Sequence, residues 1–491
     1  VEDWPDSDLM EEVTGDRALD WVRDRNAETA KELETGAAFK TLEADLLAIM
    51  DSKAKIPYVT KNGAYYYNFW RDADHVRGLW RRTTLDEYRK AEPRWEPVLD
   101  VDALGKIENE NWVFQGAEFL RPEYRRCLIT LSRGGADATV TREFDVVDKA
   151  FVTGGFQLPE AKGSAGWIDR DSVFVSTDFG PGSMTTSGYP RIAKRWTRGT
   201  PLSEAKVVYE GLETDVWDGV FHDPTKGFER DFIFRTPTFF SRETFVLASD
   251  GSKRKIEVPD DAESSVYREW LLVKPRTPWT VGGATYPAGS LLAARFDDFM
   301  AGKREFVVVF TPTAATSLES YSLTRHHLIL GVLDDVKSRL YLLTPGRGKS
   351  WNNWKRAPME GAPAFGTTSA WGVEPDVSED VFMTVTDFLT PTTLSYGTVG
   401  KPLKKLKESP SFFNASGLEI GQHFAKSGDG TRIPYFQVSR KGLVLDGSHP
   451  TLLTGYGGFE ISQVPYYSGS VGRGWLTQGG VYVVANIRGG G

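Results

Sequence analysis

Residues 452–462 read LLTGYGGFEIS, an apolar run that passes through Tyr456 into Gly457, Gly458 and Phe459. Glycines let a backbone come close to another group where a Cβ would not fit. A tyrosine hydroxyl at such a turn is chemically competent to donate to the oxyanion that develops on an attacked carbonyl. Tyr456 is therefore a candidate catalytic oxyanion donor, with Gly457 and Gly458 as the glycines that would let the backbone approach the reacting carbonyl. The alternative, for so short a sequence, is a tight turn whose tyrosine merely packs.

The other reactive side chains offer less. The six histidines (75, 222, 326, 327, 423 and 449) and the lone Cys127 show no ligand spacing. Only His326 and His327 are adjacent, and as neighbours on a strand they would face opposite ways. No metal or cofactor is expected. One cysteine cannot form an intrachain disulfide, which fits a reducing compartment, so a cytoplasmic location is expected, with a periplasmic one possible. The net charge of −8 argues against a nucleic-acid partner. No apolar run approaches the roughly 20 residues of a membrane helix, and no signal peptide is evident.

The elements that must position Tyr456 fall into three stretches. TGDRALDWVRDRNAETAKELE and TLEADLLAIMDS read as two helices, with Thr14 as N-cap candidate. Their apolar faces are Leu19, Val22 and Leu33, then Leu42, Leu46, Ile49 and Met50. From about residue 57 to 410 the pattern is a long series of short aromatic or β-branched strands with almost no convincing helix, each bounded by Gly, Asp, Pro or Asn. Such a series means a sandwich array, a large barrel or a propeller. GWIDRDSVFVSTDF (166–179) echoes AWGVEPDVSEDVFMTVTDF (370–388) at an offset of 209, about four periods of roughly 50 residues. That favours a seven-bladed β-propeller. After the lysine-rich KPLKKLKESPSFFN (401–414), HPTLLTGYGG and GGVYVVANIRGGG read as short buried strands closed by glycines, the pattern of an α/β sheet.

In α/β-hydrolases the loop after the third strand supplies part of the oxyanion hole. DGSHPTLLTGYGGFEIS followed by GGVYVVANIRGGG resembles the prolyl oligopeptidase family of serine peptidases. SGDGTRIPYFQVSRKG (427–442) resembles the hairpin that opens that family's hydrolase domain, and ALDWVRDRNAET its N-terminal arm. The resemblance implies a mixed fold: a helical arm of the hydrolase domain (1–56), a seven-bladed propeller (57–410) and an incomplete α/β-hydrolase domain (411–491). It implies that Tyr456 stabilises the oxyanion, that Phe459 lines the pocket for the residue before the cleaved bond, and that Gly457 and Gly458 let the loop form. Tyr-Gly-Gly-Phe favours the branch that cleaves short peptides after proline. No partner beyond such peptides is implied, and a monomer is expected.

The family's nucleophile elbow, Gly-x-Ser-x-Gly, and its later Asp and His are not in residues 1–491. Gly469-Ser470-Val471-Gly472 lacks the spacing and follows no buried strand, so Ser470 is expected in a loop; His449 is expected to be structural. The chain begins at Val1 and stops on glycines after an apolar strand, so it is expected to be the first two-thirds of a longer enzyme and inactive alone. The alternatives are a non-catalytic propeller binding protein with a hydrolase remnant, or a related peptidase or esterase of other specificity.

Overall fold

The computed structural model describes residues 15–359 and 364–489. The helices Asp16–Leu33 and Ala37–Met50 come first; Thr14 lies outside the described residues, and Gly15 holds the N-cap position. The expected apolar faces are only partly used. Asp16–Leu33 buries Ala18, while Val22 and Leu33 stay exposed. Leu42 of the second helix reaches Gly474, and Asp45 pairs with Arg473 at 2.8 Å. The arm thus packs on a short helix, Gly469–Gly474, near the chain's other end.

Seven antiparallel sheets follow among the described residues, their first strands starting at 60, 112, 164, 217, 263, 316 and 367. Each is a meander of strands in chain order. In the second, both Ala150–Phe151 and Gln157–Ala161 pair with Thr139–Asp145; in the fifth, a small hairpin is inserted after the second strand. The sequence echo falls on the first two strands of the third and seventh sheets, four repeats apart.

A simple rule holds the sheets together. Successive side chains on a strand point to opposite faces, so adjacent apolar residues of a central strand serve two different neighbours. Tyr67 packs between the first and second sheets, Tyr66 between the first and seventh. Leu128 and Ile129, Phe232 and Ile233, Leu271 and Leu272, and Val381 and Phe382 divide in the same way. The cluster of Ile56, Tyr66, Tyr88, Phe382, Leu394 and Tyr396 joins the last sheet to the first, so the sheets close into a propeller ring. Among the described residues no strand is exchanged at that seam; side-chain contacts close it.

The stretch 57–410, read as having almost no convincing helix, holds three short ones: Leu85–Tyr88, capped by Thr84, Val101–Glu108, capped by Asp100, and Phe296–Met300, where a strand turns straight into a helix. All three are too short to show a strong helical periodicity.

An eighth, mixed sheet follows. Leu418–Lys426 runs antiparallel to Arg432–Arg440, which runs antiparallel to Val481–Ala485; Thr451–Gly455 is parallel to Val481–Ala485 at the edge. Val481–Ala485 is largely buried, as its apolar run predicts, but Leu452 and Leu453 are exposed. Among the described residues Thr451–Gly455 pairs on one side only. Its core, with Phe436, Val438, Tyr482 and Val484, takes in Val336 and Phe388 from the sixth and seventh sheets. Ser470 sits in the Gly469–Gly474 helix, capped by Ser468, rather than in a loop. Among the described residues no helix is long and apolar enough to cross a membrane.

The seam yields a prediction. Phe382 is fully buried and touches Tyr66, Trp371 and Tyr396. Phe382→Ala should cost about 3–5 kcal/mol, read as a lower urea midpoint; an unchanged midpoint would mean that the seam does not limit stability.

Candidate active site at the ring–sheet boundary

Parallel strands carry their sites beyond their carboxyl ends. Here Thr451–Gly455 and Val481–Ala485 end side by side, with Gly455 opposite Ala485, and the loop after Thr451–Gly455 reaches the ring. Asn486 locks them together: its buried amide accepts from Gln463 N–H at 2.7 Å and donates to Gln463 C=O at 3.3 Å.

The glycines serve close approach rather than unusual φ. A Cβ on Gly457 would lie 2.8 Å from Arg488 O, and one on Gly458 would lie 3.0 Å from Tyr456 Oη. The left-handed residues are Phe459 (φ 56°) and Glu460 (φ 57°). Two such non-glycine residues in succession cost of order 1–3 kcal/mol each and persist only where surroundings hold them. Glu460 N–H donates to Gly489 O at 3.0 Å, and its carboxylate pairs with Arg276 of the propeller at 2.5 Å.

The structure brings Tyr456 and Phe459 together, rings stacked with centroids 6.5 Å apart. Both remain substantially exposed, at 42% and 56%. Among the described residues the Tyr456 hydroxyl makes no hydrogen bond, which leaves a donor for a ligand.

Sequence reasoning missed the propeller's share. Phe239 and Phe240 form the tip of the hairpin between Arg230–Thr238 and Ser241–Leu247. Phe239 packs on Phe459 at 5.1 Å, and Arg276 lies over Phe240 at 4.6 Å. The available signal was RTPTFFSRET: two large aromatics stand at a two-residue turn, where Gly, Asn or Asp is usual.

Buried charge supports the base of this hairpin. Arg235 donates to both oxygens of Asp215, each at 3.0 Å, and to Glu243 at 3.0 Å. Burial opposes ionisation of Asp215, but Arg235 and the Leu212 N–H hold it below the usual carboxylate range. Asp218 is fully buried and accepts from Thr236 N–H at 3.3 Å, while its Oδ2 has no partner. Burial, then the Asp215 charge, push its pKa up to about 7.

The two adjacent histidines also differ from expectation. They sit at a turn before Leu328–Asp334, and both bind one carboxylate: His326 Nδ1 and His327 Nδ1 lie 2.6 and 2.9 Å from Glu379 oxygens. Among the described residues no group of three or more His, Cys, Asp or Glu is placed to hold a metal. The His449 carbonyl accepts from Thr451 Oγ1 at 3.1 Å.

Residues 8–223 match the family model described as prolyl oligopeptidase, N-terminal beta-propeller domain. Over 494 residues the chain is 36% identical to a Sinorhizobium fredii protein named uncharacterized peptidase y4nA, spanning 98% of this chain and 67% of that one. The chain belongs to the prolyl oligopeptidase family. A solved structure of a post-proline cleaving enzyme from Rickettsia typhi is similar over 99% of this chain and 72% of that one, with a TM-score of 0.92 and 29% identity. A prolyl endopeptidase from Elizabethkingia miricola is 37% identical over 130 residues, 26% of this chain and 18% of that one. The chain therefore spans about two-thirds of the length of the relatives it matches throughout. In this member of the prolyl oligopeptidase family, the aromatic loop and the propeller hairpin meet at one boundary.

Asp218 gives a pH prediction for that boundary. Its folded pKa lies above the roughly 3.9 of a free aspartate, so the folded state binds the extra proton. The stability it contributes is present below about pH 4 and is lost as pH rises through about 7. Asp218→Asn should therefore be less damaging, relative to wild type, at pH 8 than at pH 5 in urea unfolding. An equal difference at both pH values would contradict a neutral Asp218.

Proposed function

We propose that the whole protein is a serine-type oligopeptidase that cleaves short peptides after proline. The observation that carries this reading is the stacked Tyr456–Phe459 pair at the end of two parallel strands, open on one side and capped by propeller Phe239 on the other. In this reading a serine attacks the carbonyl, a histidine takes and returns the proton, and an aspartate orients the histidine. The reading requires all three from outside residues 1–491, which supply the Tyr456 hydroxyl as oxyanion donor. Gly457 and Gly458 keep the loop low, and Phe459 offers a flat apolar face to the proline ring.

The same reading divides the chain into an arm (1–56), a propeller whose seven sheets are seven blades (57–410), and the opening strands of an α/β-hydrolase domain (411–491). The likeness to a post-proline cleaving enzyme supports the prolyl preference.

In the whole protein, Tyr456→Phe should leave folding intact and lower kcat about a hundredfold, the value of one oxyanion donor, on the order of 3 kcal/mol. A change in KM alone would make Tyr456 a packing residue.

Phe459→Ala should act on specificity. Burying a small ring is worth on the order of 1–2 kcal/mol, and alanine has less apolar surface to lose. The ratio of kcat/KM for matched proline and alanine peptides should therefore fall, while an activated ester is affected much less. An unchanged ratio with both peptides slowed equally would assign Phe459 to the loop rather than the pocket.

A further inference from the structure

The first-to-second strand connection of the seventh sheet, residues 373–379 (VEPDVSE), reaches far beyond its own neighbours. Glu374 pairs with Lys61 of the first sheet. Asp376 pairs with Arg121, in the connection after the second sheet's first strand, and accepts from Thr225 Oγ1 of the fourth sheet at 3.4 Å. Pro375 C=O accepts from Tyr267 Oη of the fifth sheet at 2.6 Å. Ser378 C=O accepts from Arg325 N–H, and Glu379 binds Thr324, His326 and His327, all of the sixth sheet.

In a closed ring the seventh sheet adjoins only the sixth and the first. A seven-residue segment that also touches the second, fourth and fifth must cross the central opening. Its partners lie on first strands or the connections that follow them. Of the connections after second strands, Phe239–Phe240, Asp335–Val336 and the Phe388 turn meet the eighth sheet or its loops. Segment 373–379 thus covers the mouth of the ring away from the candidate active site. Its carboxylates are mostly buried: side-chain exposure is 20% for Glu374 and 13% for Asp376. The fold of the segment is its own, with Val377 and Ser378 N–H groups both donating to Glu374 C=O.

We propose that residues 373–379 form a plug, latched by Lys61 and Arg121, that closes the far mouth of the propeller and so sets an upper limit on substrate length. Because no strand is exchanged at the seam among the described residues, these ion pairs also tie the seventh sheet to the first and second across it. The size limit rests on the peptidase reading; the latch does not.

The test uses the whole protein and the double variant Lys61→Ala/Arg121→Ala, neither residue being part of the candidate active site. Two internally quenched peptides of about 8 and about 40 residues carry the same cleavage sequence. The long-to-short ratio of kcat/KM should rise about fivefold or more, with the short peptide little changed. Amide exchange in 373–379 should quicken about tenfold, and Arg121→Lys should restore much of the wild-type ratio. Faster exchange with an unchanged ratio would overturn the size limit; unchanged exchange would overturn the latch. Equal slowing of both peptides would reduce the segment to a structural staple and overturn the proposal. Should the wild type prefer a residue other than proline, the prolyl reading falls, but the same ratio with the preferred sequence still tests the plug. Should the double variant fail to fold, Tyr267→Phe is read in the same way.

Discussion

Everything in this chain depends on adjacent apolar residues of one strand facing two different neighbours. That arrangement makes each sheet a wedge between two others, and it leaves the last sheet to meet the first through Tyr66, Phe382 and Tyr396. Closure by side-chain packing and ion pairs, without a shared strand, fixes the angular position of each sheet and hence of each hairpin. It also puts all connections of one kind on one face. The candidate active site draws on one face and the 373–379 segment covers the other.

The site follows from two constraints meeting. On the eighth sheet, parallel pairing of Thr451–Gly455 with Val481–Ala485 places two loop starts side by side, and Asn486 bridges them. On the ring, the Arg235–Asp215 pair and the buried Asp218, which accepts from Thr236 N–H, support the base of the hairpin that carries Phe239. The strained backbone at Phe459 and Glu460 is the junction. It is held by a main-chain bond to Gly489 from one side and by Arg276 and Phe239 from the other. Strain maintained by both parts means that the loop's shape depends on how they dock.

The repeat was legible because a strand flanked by two packed faces has a continuous apolar run, and the echo at 166–179 and 370–388 gave the period. The loop at 455–459 was legible because glycines are needed where an added Cβ would lie within 2.8–3.0 Å of neighbouring atoms. Other features were not legible, each for a local reason. Val101–Glu108 is too short to show a helical period. Thr451–Gly455 is as apolar as a buried strand yet, among the described residues, pairs on one side only. His326 and His327 lie at a turn, not on the strand, so the alternation that would separate them does not apply. Phe239 and Phe240 belong to a contact between segments more than 200 residues apart, which no local pattern encodes.

The central claim is that Tyr456 and Phe459 form one side of a peptidase centre completed by the propeller hairpin. The most direct measurement is a structure of the whole protein carrying a peptidyl-prolyl aldehyde adduct. The account predicts the adduct oxygen within hydrogen-bond distance of Tyr456 Oη, the proline ring against Phe459, and Phe239 still packed behind it. An adduct oxygen held elsewhere, with Tyr456 turned away, would contradict it.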